Sequence, residues 1–300
     1  MERKFSFIKN YPKFLCLSLA CILIGAIFLI VNKGFVTDID FSGGTMMRIN
    51  MENPYEESAL SSTIETAIGE KPYSIQKVGD ANEVIVKMKS LDTQARDDLY
   101  QQIKAAFNLT SDEPLESNNI SAAVSNEILT SAILAVIIAC ILMLIYITIR
   151  FEFTSGAAAV LALLHDTLMM ISFYAIFRIP VNSSFIAAIL TIIGYSINAT
   201  IVIFDRVREN RKYLKKEGFG EVCDKSIRQT LRRSINSSGT TLVSLIVLYI
   251  MGSQSIREFA LPLMVGVIVG TYSSIFLAGP TWNLFRGNKG GVKKKAKATS

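Results

Sequence analysis

Six apolar blocks of near membrane-spanning length constrain this 300-residue chain more than any other feature. They lie near residues 12–31, 128–149, 154–177, 185–204, 237–252 and 259–280. A bilayer core about 30 Å thick is crossed by about 20 helical residues. Hydrophobic residues make up 50% of the chain and charged residues 19%, below the roughly 25% charge typical of soluble domains. The sequence therefore predicts an α-helical polytopic membrane protein with six transmembrane helices, and it excludes a soluble enzyme, a disordered chain and a disulfide scaffold.

The first block resembles a signal peptide in one respect, because basic residues precede it. It is longer than a typical signal-peptide core, however, and no convincing small-residue cleavage site follows it. We therefore interpret it as a retained anchor.

Basic residues in the connections predict which way the spans face. With the N-terminus inside, the inner segments hold 21 Lys and Arg residues, whereas the outer short loops hold only Arg178 and Arg257. Short loops rich in positive charge stay on the cytoplasmic side. We therefore expect both termini to be cytoplasmic. This bias also explains the net charge of +6, which argues against a nucleic-acid binder.

The connections divide the chain into four parts. We expect the N-terminus and first span at 1–31, an extracytoplasmic domain at 32–127, a bundle of five spans at 128–280 with a cytoplasmic loop at 205–236, and a basic cytoplasmic tail at 281–300. The lysines of that tail are typical of a topology signal; binding of anionic membrane lipid or ribosomal RNA is the alternative.

The extracytoplasmic domain shows an alternation of strand and helix patterns. Strands are predicted at 41–51, 73–78, 83–89 and 115–124, and helices at 55–68 and 92–107, with Asp92 as a helix cap. The order β-α-β-β-α-β predicts a ferredoxin-like α+β fold. This domain contains no His, no Cys and no nucleophile motif, so we expect a binding or mechanical module and not an enzyme.

The four cysteines are not spaced as metal ligands or as a disulfide framework. Three lie in spans and one in the loop 205–236, and none lies in the extracytoplasmic domain. We expect them to be small apolar fillers, and we expect neither a metal nor another cofactor.

Polar residues within the spans are the candidate functional residues, because ionisable groups are costly in a bilayer. His165 and Asp166 lie in the middle of the third span. They are interpreted either as part of a proton relay or as a hydrogen-bonded packing contact.

Three further polar patterns mark helix faces. Thr191, Gly194 and Asn198 share a face of the fourth span that should point into a helix bundle. Arg233 begins a polar face of the fifth span that continues through Ser237, Thr240 and Ser244; it either stabilises a neighbouring carboxylate or extends to the headgroups. Gly266 and Gly270 form a close-packing face on the sixth span.

Several motifs together carry a resemblance to a known family. They are Asp40-Phe41-Ser42-Gly43-Gly44-Thr45, Leu164-His165-Asp166, Gly194-Tyr195-Ser196-Ile197-Asn198 with the continuation to Asp205-Arg206, and Thr230-Leu231-Arg232-Arg233-Ser234. With the layout of one span, an extracytoplasmic domain and five spans, the chain closely resembles the SecF family of bacterial protein-export subunits, within the resistance–nodulation–division superfamily.

The resemblance implies a partner and a function. Members pair with a SecD half, associate with the SecYEG channel and the SecA motor, and use the proton motive force to help draw unfolded polypeptides across the membrane. The resemblance also implies that Gly43 and Gly44 shape the strand beside the membrane, although a plain turn would fit them equally well.

One position departs from the family pattern. Members usually have Asp directly after the Asn matched by Asn198, and that carboxylate pairs with the Arg matched by Arg233 and with an Asp of the SecD half. Here the position is Ala199, which has no titratable proton. The SecD half alone, substitution by Asp166, and an uncoupled subunit remain open explanations.

Two other functions remain in view. One is a scaffold that holds the complex together but moves no protons through its own spans. The other is half of a small-molecule or lipid exporter of the same superfamily, against which the small extracytoplasmic domain argues.

Overall fold

A computed structural model describes residues 5–78, 82–150, 152–213 and 217–286. The helices are α1 (Phe7–Val31), α2 (Ile39–Ser42), α3 (Glu57–Ile68), α4 (Thr93–Phe107), α5 (Ala122–Arg150), α6 (Phe153–Phe177), α7 (Ser183–Tyr213), α8 (Phe219–Met251) and α9 (Gln254–Ser273). The strands are β1 (Gly44–Asn50), β2 (Ser74–Val78), β3 (Glu83–Met88) and β4 (Glu116–Ile120). Most of the predicted basic tail, from residue 287 onward, lies outside the described residues.

The membrane part agrees with the predicted fold class. Within the described ranges, six helices are long and apolar enough to cross a membrane, namely α1 and α5 to α9. Helix α7 lies at the centre and packs against α5, α6, α8 and α9. The chain is therefore a polytopic helical membrane protein, and α5 presents almost its whole surface outward.

The segment 205–236, predicted as a connecting loop, is instead mostly a helical hairpin. Helix α7 continues to Tyr213 and α8 begins at Phe219. Val207 and Ile227 are fully buried in the core of the membrane bundle, and Asn210 Nδ2 donates a hydrogen bond to Ser226 Oγ at 2.8 Å. The hairpin thus has its own buried contacts, which favour helical continuation over an irregular loop.

The small domain forms a four-stranded antiparallel sheet with the strand order β2-β3-β1-β4. Helices α3 and α4 cover one face, where the side chains of Leu60, Ile64, Val86 and Ile103 are 0% exposed. Asp92 caps α4 by accepting a hydrogen bond from the Ala95 N–H at 2.8 Å. The predicted order of strands and helices is confirmed, with the short helix α2 added before β1.

Residues 41 and 42 were predicted as the beginning of a strand, and this prediction is wrong. They belong to α2, because the Asp38 carboxylate caps that helical turn through the Ile39 N–H at 2.7 Å and because Phe41 packs into the core of the membrane bundle. Asp40 in turn accepts a hydrogen bond from the N–H of Ser183 at the start of α7, at 2.9 Å. The motif therefore joins the α/β domain to α7.

The two glycines of the motif turn the chain from α2 into the sheet. Gly43 and Gly44 have φ values of 74° and 151°. Residues other than glycine rarely adopt these backbone conformations. A Cβ at Gly44 would also lie 2.5 Å from the carbonyl oxygen of Met88. Thr45 follows with its hydroxyl accepting a hydrogen bond from the Leu91 N–H at 2.9 Å.

We expect Gly44→Ala to destabilise the chain far more than Gly69→Ala. Both positions have positive φ, but a Cβ at Gly69 would meet no atom within 4 Å. Backbone strain alone costs about 1 kcal/mol, and the clash with a backbone carbonyl raises the loss to about 3 kcal/mol. Thermal unfolding of the purified chain in detergent measures the difference, and equal midpoints for the two variants would contradict this explanation.

Candidate functional site

A buried carboxylate joins three of the membrane helices. Asp166 of α6 is 2% exposed. Its Oδ2 accepts a hydrogen bond from Ser196 of α7 at 2.5 Å and another from Ser273 of α9 at 2.9 Å. Removing a carboxyl group from water is costly unless such partners compensate it. These contacts therefore specify how α7 and α9 pack on α6.

His165 completes this cluster. Its Nδ1 lies 3.0 Å from Asp166 Oδ1, and its ring stacks on Tyr272 with a centroid distance of 6.2 Å. Its Nε2 is buried without a hydrogen-bond partner among the described residues. A neutral imidazole that donates through Nδ1 has a lone pair at Nε2 that can accept a proton. The pair can therefore hold a proton inside the bundle.

Two glycines bring α9 close enough to α7 for this arrangement. A Cβ at Gly266 would lie 2.4 Å from Cγ1 of Ile192, and a Cβ at Gly270 would lie 3.0 Å from Cβ of Ser196. The helices could not approach this closely with larger residues at these positions. A π-helical turn, Ser274–Ala278, follows directly after Ser273, and such turns concentrate at functional sites.

A second group of polar residues lies on the outside of the bundle, between α7 and α8. A crevice of about 90 Å³ opens there. Its lining residues are Tyr195, Asn198, Ala199, Val202, Arg233, Ser234, Ser237 and Ser238. A carboxylate at position 199 would therefore line the same crevice as the guanidinium of Arg233.

The face of the fourth span that was predicted to point into a helix bundle lies on the surface of this chain. Thr191 and Asn198 are exposed, and a Cβ at Gly194 would meet no atom within 4 Å. On α8, Arg233, Ser237, Thr240 and Ser244 are exposed as well. We call this surface the α7–α8 polar face, and it comprises Asn198, Ala199, Arg233, Ser237 and Thr240.

Hydroxyl groups connect this face to α9. The Tyr195 hydroxyl lies 3.4 Å from the hydroxyl oxygens of both Ser238 and Thr241. Thr271 of α9 donates a hydrogen bond to Ser238 at 2.6 Å. Tyr195 and Ser196 are consecutive residues of α7. Tyr195 therefore lines the crevice, and Ser196, on the adjacent side of the same helix, contacts Asp166.

Asp205 and Arg206 lie at the far end of α7, away from both groups. Arg206 donates hydrogen bonds to Gln229 of α8 and to Glu209, each at 2.6 Å. Asp205 lies 3.8 Å from Arg208 in an exposed ion pair. Arg206 therefore links α7 to α8, whereas Asp205 pairs with Arg208 within α7, and neither residue contacts the Asp166 cluster.

Sequence reasoning singled out Asp166, His165 and Arg233 but did not identify Ser196 and Ser273 as the partners of Asp166. The sequence signal that could have identified these two serines is a small hydroxyl residue within an otherwise apolar span. No group of three His, Cys, Asp or Glu residues in the described ranges is arranged to hold a metal ion.

Comparisons with known proteins identify similar sequences. The family profile described as "Protein export membrane protein SecD/SecF, C-terminal" matches residues 101–288. The protein translocase subunit SecF of Sebaldella termitidis is 40% identical over 265 residues, which cover 87% of this chain and 85% of that relative. The corresponding subunit of Petrotoga mobilis is 36% identical over 285 residues, covering 91% and 93%.

Solved structures show the same arrangement within longer chains. SecDF of Thermus thermophilus, described as a translocon-associated membrane protein, has a TM-score of 0.81 and 33% identity, and the match covers 93% of this chain. A second SecDF structure, in a super-membrane-facing form, has a TM-score of 0.72 and 30% identity. This chain spans 38% and 40% of those two SecDF chains.

We expect Asp166→Ala to reduce the free energy of unfolding by about 3 kcal/mol, because it leaves two buried hydroxyls and the imidazole without their acceptor. Asp166→Asn keeps one acceptor oxygen and should lose about 1 kcal/mol. Unfolding of the detergent-solubilised chain gives both values.

The control is Asp205→Ala, which removes an exposed carboxylate on the next helix and should change stability by less than about 0.5 kcal/mol. Equal losses for Asp166→Ala and Asp205→Ala would show that the Asp166 contacts do not hold the helices together.

Proposed function

We propose that this chain, which belongs to the SecD/SecF family of protein-export membrane proteins, is the SecF half of an accessory complex of the Sec protein translocase. Its partners are a SecD-like subunit, the SecYEG channel with SecA, and the unfolded polypeptide in transit. The observation that carries this proposal is the match of nearly the whole chain to about two fifths of a SecDF chain.

The α7–α8 polar face supports a two-half complex. A polar, exposed helix surface that faced lipid would be costly, so it is expected to be covered by protein. A second six-span half is the covering that the longer SecDF chains suggest. The almost completely outward-facing α5 offers further apolar surface for lipid or for that half.

The orientation follows from the charge bias of the connections. We place the α/β domain outside the bacterial cytoplasmic membrane and both termini in the cytoplasm. In that orientation the α7–α8 hairpin, with Asp205 and Arg206, is cytoplasmic. The domain then lies where polypeptides emerge from the channel.

We assign proton coupling to two sites in the membrane part of the chain. At the α7–α8 polar face, Arg233 stabilises a carboxylate that the partner half provides, since Ala199 provides none. Inside the bundle, His165 and Asp166 hold a proton next to Ser196 and Ser273 of α7 and α9. Protonation of Asp166 would weaken its hold on both hydroxyls and so alter the packing of these helices.

A second candidate is a scaffold subunit without proton coupling, and the alanine at position 199 favours it. In that case the Asp166 cluster is a packing contact only, and Arg233 extends to the lipid headgroups. The two candidate functions predict different effects of replacing Arg233 on gradient-driven export.

Arg233→Ala should reduce gradient-driven export by about tenfold, because a hydrogen bond between charged groups contributes about 1.5–3 kcal/mol. Arg211→Ala is the matched control: it removes an exposed arginine of α7 that pairs with Glu152 and lines neither depression beside Arg233, and export should be unchanged. The measurement is completion of translocation in inverted membrane vesicles that contain the partner half, with and without a proton gradient.

The variants Ala199→Asp and Asp166→Asn are measured in the same translocation assay. Under the coupling proposal, Asp166→Asn lowers the response to the gradient, and Ala199→Asp alters it by placing a carboxylate beside Arg233. If Arg233→Ala, Asp166→Asn and Ala199→Asp all export as the parent does, the scaffold function is correct.

A further inference from the structure

A lysine of the α/β domain is buried where the domain meets the membrane helices. Lys87 lies on β3, on the sheet face opposite α3 and α4, and is 9% exposed. Its Nζ lies 2.5 Å from Asp38 Oδ2 and 3.8 Å from Glu258 Oε1. A buried ammonium group is stable only where such partners compensate its desolvation.

Asp38 is itself fixed to the connection between α6 and α7. Its N–H donates to the carbonyl oxygen of Val181 at 3.0 Å, and the N–H of Val181 donates to Val36 at 2.8 Å. The second carboxylate oxygen caps α2. Asp38 therefore has little freedom to follow Lys87 if the domain turns.

Glu258 fixes the other side of the cluster. It lies on α9 and accepts a hydrogen bond from Asn182 Nδ2 at 2.7 Å. Asn182 Oδ1 accepts the N–H of Phe185 at the start of α7, at 3.1 Å. A single lysine thus contacts both Asp38, directly before α2, and Glu258 near the start of α9. Through Glu258 it is linked to Asn182, directly before α7.

The interface around this cluster is not filled by apolar side chains. A cavity of about 240 Å³ lies beside it, lined by Gln76 of the domain and by Tyr174, Pro180 and Leu261 of the membrane part, among others. Close apolar packing would fix the orientation of a domain by itself. Here the ion pairs of Lys87 supply specific contacts between the domain and the membrane part.

We infer that Lys87 is a positioning residue that holds the α/β domain in one orientation on the ends of α7 and α9. On the proposed function, this contact links the position of the domain to the two helices whose serines hold Asp166. The orientation itself does not depend on that function and can be measured in the full chain alone.

The test is a distance distribution from electron spin labels in lipid nanodiscs. The labels are placed at Glu65→Cys, exposed on α3, and Ser255→Cys, exposed near the start of α9, after replacement of Cys16, Cys21, Cys140 and Cys223. The parent should give one narrow distribution. Lys87→Met should broaden it about twofold, because the domain loses its specific contact, and Lys87→Arg should restore the narrow distribution.

Lys89→Met is the matched control. Lys89 pairs with Glu70 at 3.3 Å on the exposed surface, and its loss should leave the distribution narrow. Where Lys87→Met alone fails to fold because Asp38 is left uncompensated, the double variant Asp38→Asn with Lys87→Met removes both charges and should fold with the broad distribution. A narrow distribution in either Lys87→Met variant overturns the inference, whatever the outcome of the export assay.

Discussion

The hydrogen bonds of one buried carboxylate determine how the membrane bundle is arranged. Inside a bilayer, apolar side chains gain little by leaving lipid, so helix association depends on close packing and on polar contacts. Asp166 supplies the polar contact by accepting from Ser196 and Ser273. Gly266 and Gly270 supply the close packing, since they let α9 approach Ile192 and Ser196. Each feature requires the other, because the two serines reach the same oxygen only when the helices are in contact.

Helix α7 relates this cluster to the surface of the chain. Ser196 faces the buried carboxylate, whereas Tyr195, Asn198 and Ala199 line the crevice beside Arg233. The absence of an acid at position 199 leaves Arg233 on an exposed polar face with no carboxylate of this chain in the crevice lining. That distribution suits a subunit that contributes half of a site and receives the other half from its partner.

The sequence predicted much of this fold because its strongest signals are local. Apolar length predicted six spans, and alternation predicted the sequence of strands and helices in the domain. The residue type of Asp92 predicted the helix cap. Residues 41 and 42 were misassigned, because the burial of Phe41 against the membrane helices is a tertiary effect. Lys87 lies on the strand face opposite α3 and α4, and only the structure shows that this lysine is buried against the membrane part. Periodicity tells which residues share a face, but it does not tell what lies opposite, so the exposure of Asn198 could not be predicted either.

In the proposed complex, the α7–α8 polar face is the contact surface for a SecD-like half. Photo-crosslinking in native membranes tests it most directly, with a photoreactive amino acid at Ser237 on that face and, for comparison, at Leu23, which is 62% exposed on α1. We expect a covalent adduct between position 237 and a SecD-like chain, and no adduct between position 23 and that chain. Adducts from position 237 with lipid alone, or with a different transporter half, would contradict it.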